Sequence, residues 1–167
     1  SRRGYVVFAM NAYSHGDSSV PEARFADTIH VRSGGMVDAV EYLAGLPFVD
    51  PTRIGVTGHS MGGGFTTTTA TYYTGLERQA LANGADPAEA KALNRVAAAL
   101  PVGMYPGELA ANPDLTGGSG LLCDLGIIMG SYDEFFAASG HSGATLLDSD
   151  LSRSLLAVQT GIQQTGA

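Results

Sequence analysis

The sequence is poor in cysteine and in basic residues. It has one cysteine in 167 residues, and nine lysines and arginines against sixteen aspartates and glutamates, which gives a formal net charge of -7. A single cysteine, Cys123, excludes an internal disulfide. The acidic balance, without any cluster of lysine or arginine, argues against a nucleic-acid partner, because neutralising phosphates requires a basic surface.

Long apolar segments and metal-ligand patterns are also missing. No stretch approaches the roughly 18 apolar residues of a membrane span, and no signal peptide is visible. We therefore expect no membrane span in this segment and, by default, a cytoplasmic location. No histidines, cysteines and acids share the spacing of metal ligands, so we expect no metal and no organic cofactor. Cys123 adjoins an apolar run, and we expect a small buried residue there, since apolar surroundings disfavour the reactive thiolate.

The residues that are present have a globular composition, with 44% hydrophobic and 15% charged, and the length fits one domain. Four apolar runs are typical of buried parallel strands, and they lie at 4–10, 54–56, 95–100 and 121–129. Helical patterns follow them. This alternation predicts an α/β fold with a parallel sheet of about four core strands and helices on both of its faces.

The helical patterns differ in the signal that predicts them. Segment 36–43 places its apolar residues on one helical face, and Asp86 followed by Pro87 is a good N-terminal signal. A helix beginning near Gly62 contains FTTTTATYY, and threonine has low helix propensity, so tertiary packing would have to impose that helix. A last amphipathic pattern covers 151–162.

Gly58-His-Ser-Met-Gly62 is the motif that carries chemistry. It matches G-x-S-x-G and lies between a strand pattern and a helix pattern, which is the context that the motif requires. We predict that Ser60 is a nucleophile on a strained turn and that the residues two positions away on either side must lack side chains that would collide. The backbone N–H of Met61 would then point to the developing oxyanion. Ser142 stands in a similar Gly-His-Ser context, but no suitable strand precedes it, and we expect it to lie in a loop.

A serine nucleophile needs a base and an orienting carboxylate. Asp133 ends the segment GIIMGSYD, a strand running into a loop, and follows Ser60 in the chain order that α/β-hydrolases use. Glu134 is an adjacent alternative, and a structural role for Asp133 stays open.

The base is harder to assign, because the four histidines are all imperfect candidates. His141 follows Asp133 in the right order but by only eight positions, which makes it a weak candidate. His59 adjoins the serine and is expected to bond or pack locally. His15 is expected to stabilise a loop or line a pocket, and His30 is expected at the surface near the start of a helix.

Three segments occur in the order VVFAMNAYSHGDSS, MVDAVEYLAGLPFVDPTRIGVTGHSMGG and LGIIMGSYDEFF. Together they resemble the central portion of an α/β-hydrolase of the dienelactone-hydrolase or serine-aminopeptidase-like group, although the first segment fits less closely than the others. The resemblance implies a doubly wound parallel sheet, incomplete in this chain. It also implies Ser60 as nucleophile, Asp133 as acid and the Met61 N–H as one oxyanion donor.

The same resemblance implies that residues 1–167 are a single partial domain, truncated at both ends. The strand and loop with the second oxyanion donor would precede Ser1. The last strand and the catalytic histidine would follow Ala167. We expect this fragment to be inactive alone.

The function that we expect is therefore that of a serine hydrolase. Ser60 would form an acyl-enzyme with an ester, thioester or amide of a small molecule. Two alternatives stay open, namely a non-catalytic binding module with the same fold and an acyltransferase that uses the same serine. The substrate and the oligomeric state are not indicated, and the acyl pocket is expected on loops, with segment 74–94 as one candidate.

Overall fold

A computed structural model describes residues 4–20, 22, 28–103 and 121–126. Its sheet consists of three parallel strands, whose order β1-β2-β3 follows the chain. The strands are β1 (Ile54–His59), β2 (Val96–Val102) and β3 (Asp124–Leu125). The helices are α1 (Ile29–Arg32), α2 (Met36–Ala44), α3 (Met61–Ala82) and α4 (Pro87–Leu93). The parallel sheet and its flanking helices confirm the predicted fold class.

The strand pairing aligns the ends of β1 and β2. Gly58 lies opposite Pro101 and His59 opposite Val102, so the two strands finish at the same edge of the sheet. Parallel neighbours need a crossover connection, and α3 with α4 provides it. β3 pairs with Ala98 and Ala99 of β2, and it therefore runs towards the same edge.

The core lies between this sheet and the helices α2 and α3. Among the described residues it is formed by nine buried hydrophobic residues: Val37, Val40, Ile54, Val56, Ala70, Tyr73, Val96, Ala99 and Leu121. The apolar face predicted for segment 36–43 is confirmed, because Val37 and Val40 are the buried residues of α2. Alternate residues of β1 are exposed, so within the described chain the helices cover one face of this strand.

Helix α3 forms despite its threonines. Thr66, Thr67 and Thr69 are buried, and their hydroxyls donate to carbonyl oxygens four residues earlier at 2.8, 2.9 and 2.8 Å. Each hydroxyl is thus satisfied inside the helix. Packing of α3 on the sheet imposes the helix, as predicted. Helix α4 begins as its cap predicts, since the Asp86 carboxylate accepts from the Ala88 N–H at 2.8 Å.

The prediction of a strand at 4–10 is wrong. These residues belong to no strand, and Tyr5 and Val7 are 70% and 79% exposed. A strand needs a neighbour to satisfy its backbone groups, and none of the described strands pairs with this run. The predicted strand at 121–129 pairs only over Asp124–Leu125, and residues 127–129 and the helix predicted at 151–162 lie outside the described residues.

The described helices were compared with the requirements of a membrane span by their length and hydropathy alone. None combines the length and the apolar character that crossing a bilayer requires.

Candidate active site

Ser60 occupies a strained backbone position between β1 and α3. Its φ of 54° and ψ of -117° lie in a region that residues with a Cβ rarely adopt. Hydrogen bonds hold this conformation, because the Ser60 N–H donates to the Val102 carbonyl at 2.8 Å and the Ser60 carbonyl accepts from the Gly63 N–H at 2.8 Å. The serine is exposed, and its side chain makes no cap hydrogen bond to the helix. Its hydroxyl is therefore presented at the sheet edge.

The two glycines of the motif have different roles. A Cβ on Gly58 would lie 2.4 Å from the carbonyl oxygen of Gly62 and 2.5 Å from its carbon, so the turn excludes any side chain there. A Cβ on Gly62 would meet no described atom within 4 Å outside its chain neighbours and the adjacent backbone of its own helix. The prediction that both positions must lack a side chain is confirmed at Gly58, and at Gly62 it stays a prediction.

The Met61 N–H is the first donor of helix α3. First-turn N–H groups have no partner within the helix, and no hydrogen bond of the described residues uses this one. It adjoins the serine at the positive end of a 22-residue helix, where the helix dipole favours negative charge. The arrangement can therefore stabilise an anion that forms next to the Ser60 hydroxyl.

The predicted partners of Ser60 fall outside the described residues. These are Asp133, Glu134 and His141, and Ser142, the serine in the similar Gly-His-Ser context, lies there too. Their positions relative to Ser60 thus stay predictions. The direction of β3, parallel to β2, is towards the edge that carries Ser60.

The three described histidines are all exposed, and no hydrogen bond of the described residues joins them to Ser60. The His15 ring pairs with the Tyr13 carbonyl at 2.9 Å, which confirms a loop-stabilising role. His59 ends β1 beside the serine. His30 lies on the surface in α1, as expected, and its Nδ1 is 2.6 Å from an oxygen of Asp38.

Asp38 is the residue that the sequence reasoning missed. Its Oδ1 faces His30, and its Oδ2 accepts a hydrogen bond from the Tyr13 hydroxyl at 3.2 Å. Desolvation and the neighbouring Asp38 carboxylate raise the pKa of Tyr13. Asp38 follows Tyr13 by 25 positions and His30 by eight, so no local periodicity could have indicated the cluster.

Segment 74–94 lies away from Ser60. Thr74 follows Ser60 by 14 residues along α3, which places it about 21 Å from the serine at the rise of an α-helix. The Thr74 hydroxyl accepts from the Leu122 N–H at 3.1 Å. Asn94, which precedes β2, donates to Glu77 at 2.9 Å and to the Leu122 carbonyl at 3.1 Å. The segment therefore packs at the opposite edge of the sheet, and the expectation that it forms the acyl pocket is wrong for the residues described.

A cavity of about 660 Å³ opens at that opposite edge, lined among others by Lys91, Arg95 and Cys123. Its size does not make it the active site, because ligands of open parallel sheets bind at the carboxyl ends of the strands. Burial raises the pKa of the Cys123 thiol to about 11, which agrees with the predicted unreactive role. Among the described residues, no group of three or more His, Cys, Asp and Glu could hold a metal ion.

Comparison with known proteins identifies a family for this chain. The family model described as "Dienelactone hydrolase family" matches residues 1–139 of the chain. No curated protein and no solved structure matches it.

Proposed function

The chain belongs to the dienelactone hydrolase family, a family of hydrolases with the α/β-hydrolase fold, and from that premise we propose that it is a serine hydrolase with Ser60 as its nucleophile. The substrate class would be small-molecule esters, thioesters or amides. The observation that supports this proposal is the backbone of Ser60, whose positive φ lies at a strand-to-helix junction. Strain of this kind persists only when the surroundings hold it, and it is concentrated at functional sites.

The proposed reaction starts with attack of the Ser60 Oγ on the substrate carbonyl carbon. The hydroxyl proton passes to a histidine, and the carbonyl oxygen becomes an oxyanion that the Met61 N–H stabilises. Collapse of this intermediate breaks the bond to the leaving group, which takes the proton from the histidine. The product of this half-reaction is an acyl-enzyme on Ser60.

Water completes the cycle. It attacks the acyl carbon while the histidine accepts one of its protons, and collapse of the second intermediate returns that proton to Ser60 and releases the acid. We propose Asp133 as the carboxylate that orients the histidine. The histidine itself would be His141 or a residue of a longer chain. We propose that the second oxyanion donor lies outside residues 1–167.

A fluorophosphonate probe tests the nucleophile, because it reacts covalently with activated serines. The protein at its natural full length is incubated with the probe, and the labelled peptide is identified by mass spectrometry. We expect labelling that Ser60→Ala abolishes. Ser142→Ala is the matched control, since Ser142 also follows Gly-His, and it should leave the labelling unchanged. A folded full-length protein without labelling would contradict the proposal and favour the binding module.

Substitutions in the same full-length protein distinguish Asp133 from Glu134 as the orienting carboxylate. Asp133→Asn should lower kcat for a model ester by about 10⁴-fold, as loss of the orienting carboxylate does in serine proteases, while Glu134→Gln should retain most of the activity. The reverse pattern would move the acid role to Glu134. Product analysis in water and with an added alcohol distinguishes the hydrolase from the acyltransferase.

A further inference from the structure

Asp38 connects two separate segments of the chain to helix α2. One carboxylate oxygen is 2.6 Å from Nδ1 of His30 in α1, and the other accepts from the hydroxyl of Tyr13 in the loop 11–19. Loop 11–19 is further held by the Tyr13 N–H, which donates to the Gly34 carbonyl at 3.3 Å. A single side chain thus fixes both an exposed loop and a short helix.

The position of Asp38 is at the same edge of the sheet as Ser60. Asp38 lies in the first turn of α2. The chain then passes along α2, turns and enters β1 at Ile54, and β1 returns to end at His59 beside the serine. The turn at Gly34 that precedes α2 packs against Phe65 near the start of α3, so the start of α2 lies on the side where β1 ends and Ser60 begins α3.

Two glycines connect this region to the first turns of α3. A Cβ on Gly34 would lie 2.3 Å from the ring of Phe65, and a Cβ on Gly35 would lie 3.0 Å from Met10 and 3.5 Å from Tyr13. Both glycines have positive φ, of 62° and 88°. The turn is therefore packed between loop 11–19 on one side and the helix that begins after Ser60 on the other.

We propose that Asp38 is a positioning residue of the Ser60 site, which holds loop 11–19 and α1 at this edge and so determines how substrates reach the nucleophile. The inference rests on the proposed function, because it assigns Asp38 a role in that same site. Asp38 does not act on the reacting atoms. Its removal should therefore affect substrate binding more than the reactivity of Ser60.

The test compares Asp38→Asn with Asp86→Asn in the full-length protein. Both variants replace a carboxylate by an amide, but Asp86 caps α4, which leads into β2 at the opposite edge, and asparagine caps a helix as well as aspartate does. The measurements are kcat and KM for p-nitrophenyl esters of a short and a long acid, together with the rate of fluorophosphonate labelling.

For Asp38→Asn we expect KM for the long ester to rise about tenfold, because the hydrogen bonds at this position lose their charged acceptor. The change in kcat and in the labelling rate should stay within about threefold, and Asp86→Asn should behave as the unaltered protein. If Asp38→Asn does not fold, Tyr13→Phe takes its place, with a rise in KM of about threefold from loss of one hydrogen bond.

Two results would overturn the inference. One is an active protein in which Asp38→Asn leaves KM unchanged. The other is a loss of kcat and labelling as large as the change in KM, because a general loss of folding then explains the effect. These results differ from failure of the proposed function, in which the unaltered protein itself shows neither labelling nor hydrolysis.

Discussion

At the scale of single residues, the strain at Ser60 depends on one glycine. Gly58 lets β1 approach the first turn of α3, since a Cβ there would lie 2.4 Å from the Gly62 oxygen. The turn brings the Ser60 N–H to the Val102 carbonyl, and this hydrogen bond joins the candidate nucleophile to β2. The serine's geometry is thus set by its local sequence and by the neighbouring strand together.

We predict that Gly58→Ala removes fluorophosphonate labelling of Ser60 in the full-length protein. The added methyl group collides with backbone rather than with a flexible side chain, and it should also destabilise the fold by about 1–3 kcal/mol, as overpacking does. Gly62→Ala is the control, because its Cβ meets open space among the described atoms. Labelling and urea unfolding are measured for both. Equal behaviour of the two variants would contradict the steric account.

A second residue-scale prediction concerns pH and Cys123. Burial raises the pKa of this thiol to about 11, whereas an unfolded thiol ionises near 8.5. Between these two values the unfolded state loses the proton and the folded state retains it, so the free energy of unfolding falls as the pH rises through that window. Below about pH 8 the thiol is neutral in both states and contributes no pH dependence.

Urea unfolding between pH 8 and 11 measures this effect. The pH-dependent loss of stability should be smaller in Cys123→Ala than in the unaltered chain. Alkylation by iodoacetamide at pH 8 should be about a hundredfold slower than that of a free thiol, since the thiolate fraction is that much lower. Rapid alkylation of the folded protein would show that the thiol is not desolvated.

At the scale of elements, the helices begin for different reasons. Helix α4 has seven residues, too few to be stable on propensity alone, and its start depends on the Asp86 cap and on Pro87. Helix α3 has no side-chain cap and depends on burial against β1 and β2.

Removing the α4 cap should therefore have a measurable cost. Asp86→Ala is expected to lower the free energy of unfolding by about 1 kcal/mol, because the Ala88 N–H loses its acceptor. Asp86→Asn should change the free energy of unfolding by only a few tenths of the change expected for Asp86→Ala. Urea denaturation of the three proteins gives the values, and an unchanged midpoint for Asp86→Ala would mean that the cap contributes nothing.

At the scale of the whole molecule, the described fold leaves apolar surface uncovered. Tyr5, Val7 and Val20 are 70%, 79% and 77% exposed, and β1 is paired only with β2 among the described strands. Exposed apolar runs and open strand edges favour association.

This surface predicts the behaviour of the 167-residue chain in solution. The chain should bind the dye ANS and self-associate, and Tyr5→Lys with Val7→Lys should lower both, because the two residues are exposed and carry no core packing. Fluorescence titration and light scattering measure the change, with circular dichroism to check the fold. Dye binding that survives the double substitution would place the apolar surface elsewhere.

Several features could be predicted from the sequence because their causes lie within a few residues. The start of α4 depends on Asp86 and Pro87, and the buried face of α2 depends on the spacing of its valines. The strained turn at Ser60 depends on a glycine two positions before it. Whether segment 4–10 forms a strand could not be predicted from its own residues. Its apolar run fits a buried strand, but a strand also requires a partner that the run itself does not specify.

The sequence by itself determined the alternation of strands and helices, the parallel sheet and the candidate nucleophile, since periodicity, capping and turn sterics act locally along the chain. Only the tertiary structure decided that four threonines of α3 are buried, that segment 74–94 lies at the opposite edge from Ser60, and that Asp38 joins Tyr13 to His30. These outcomes depend on residues that are distant in sequence and adjacent in space, and no local pattern contains them.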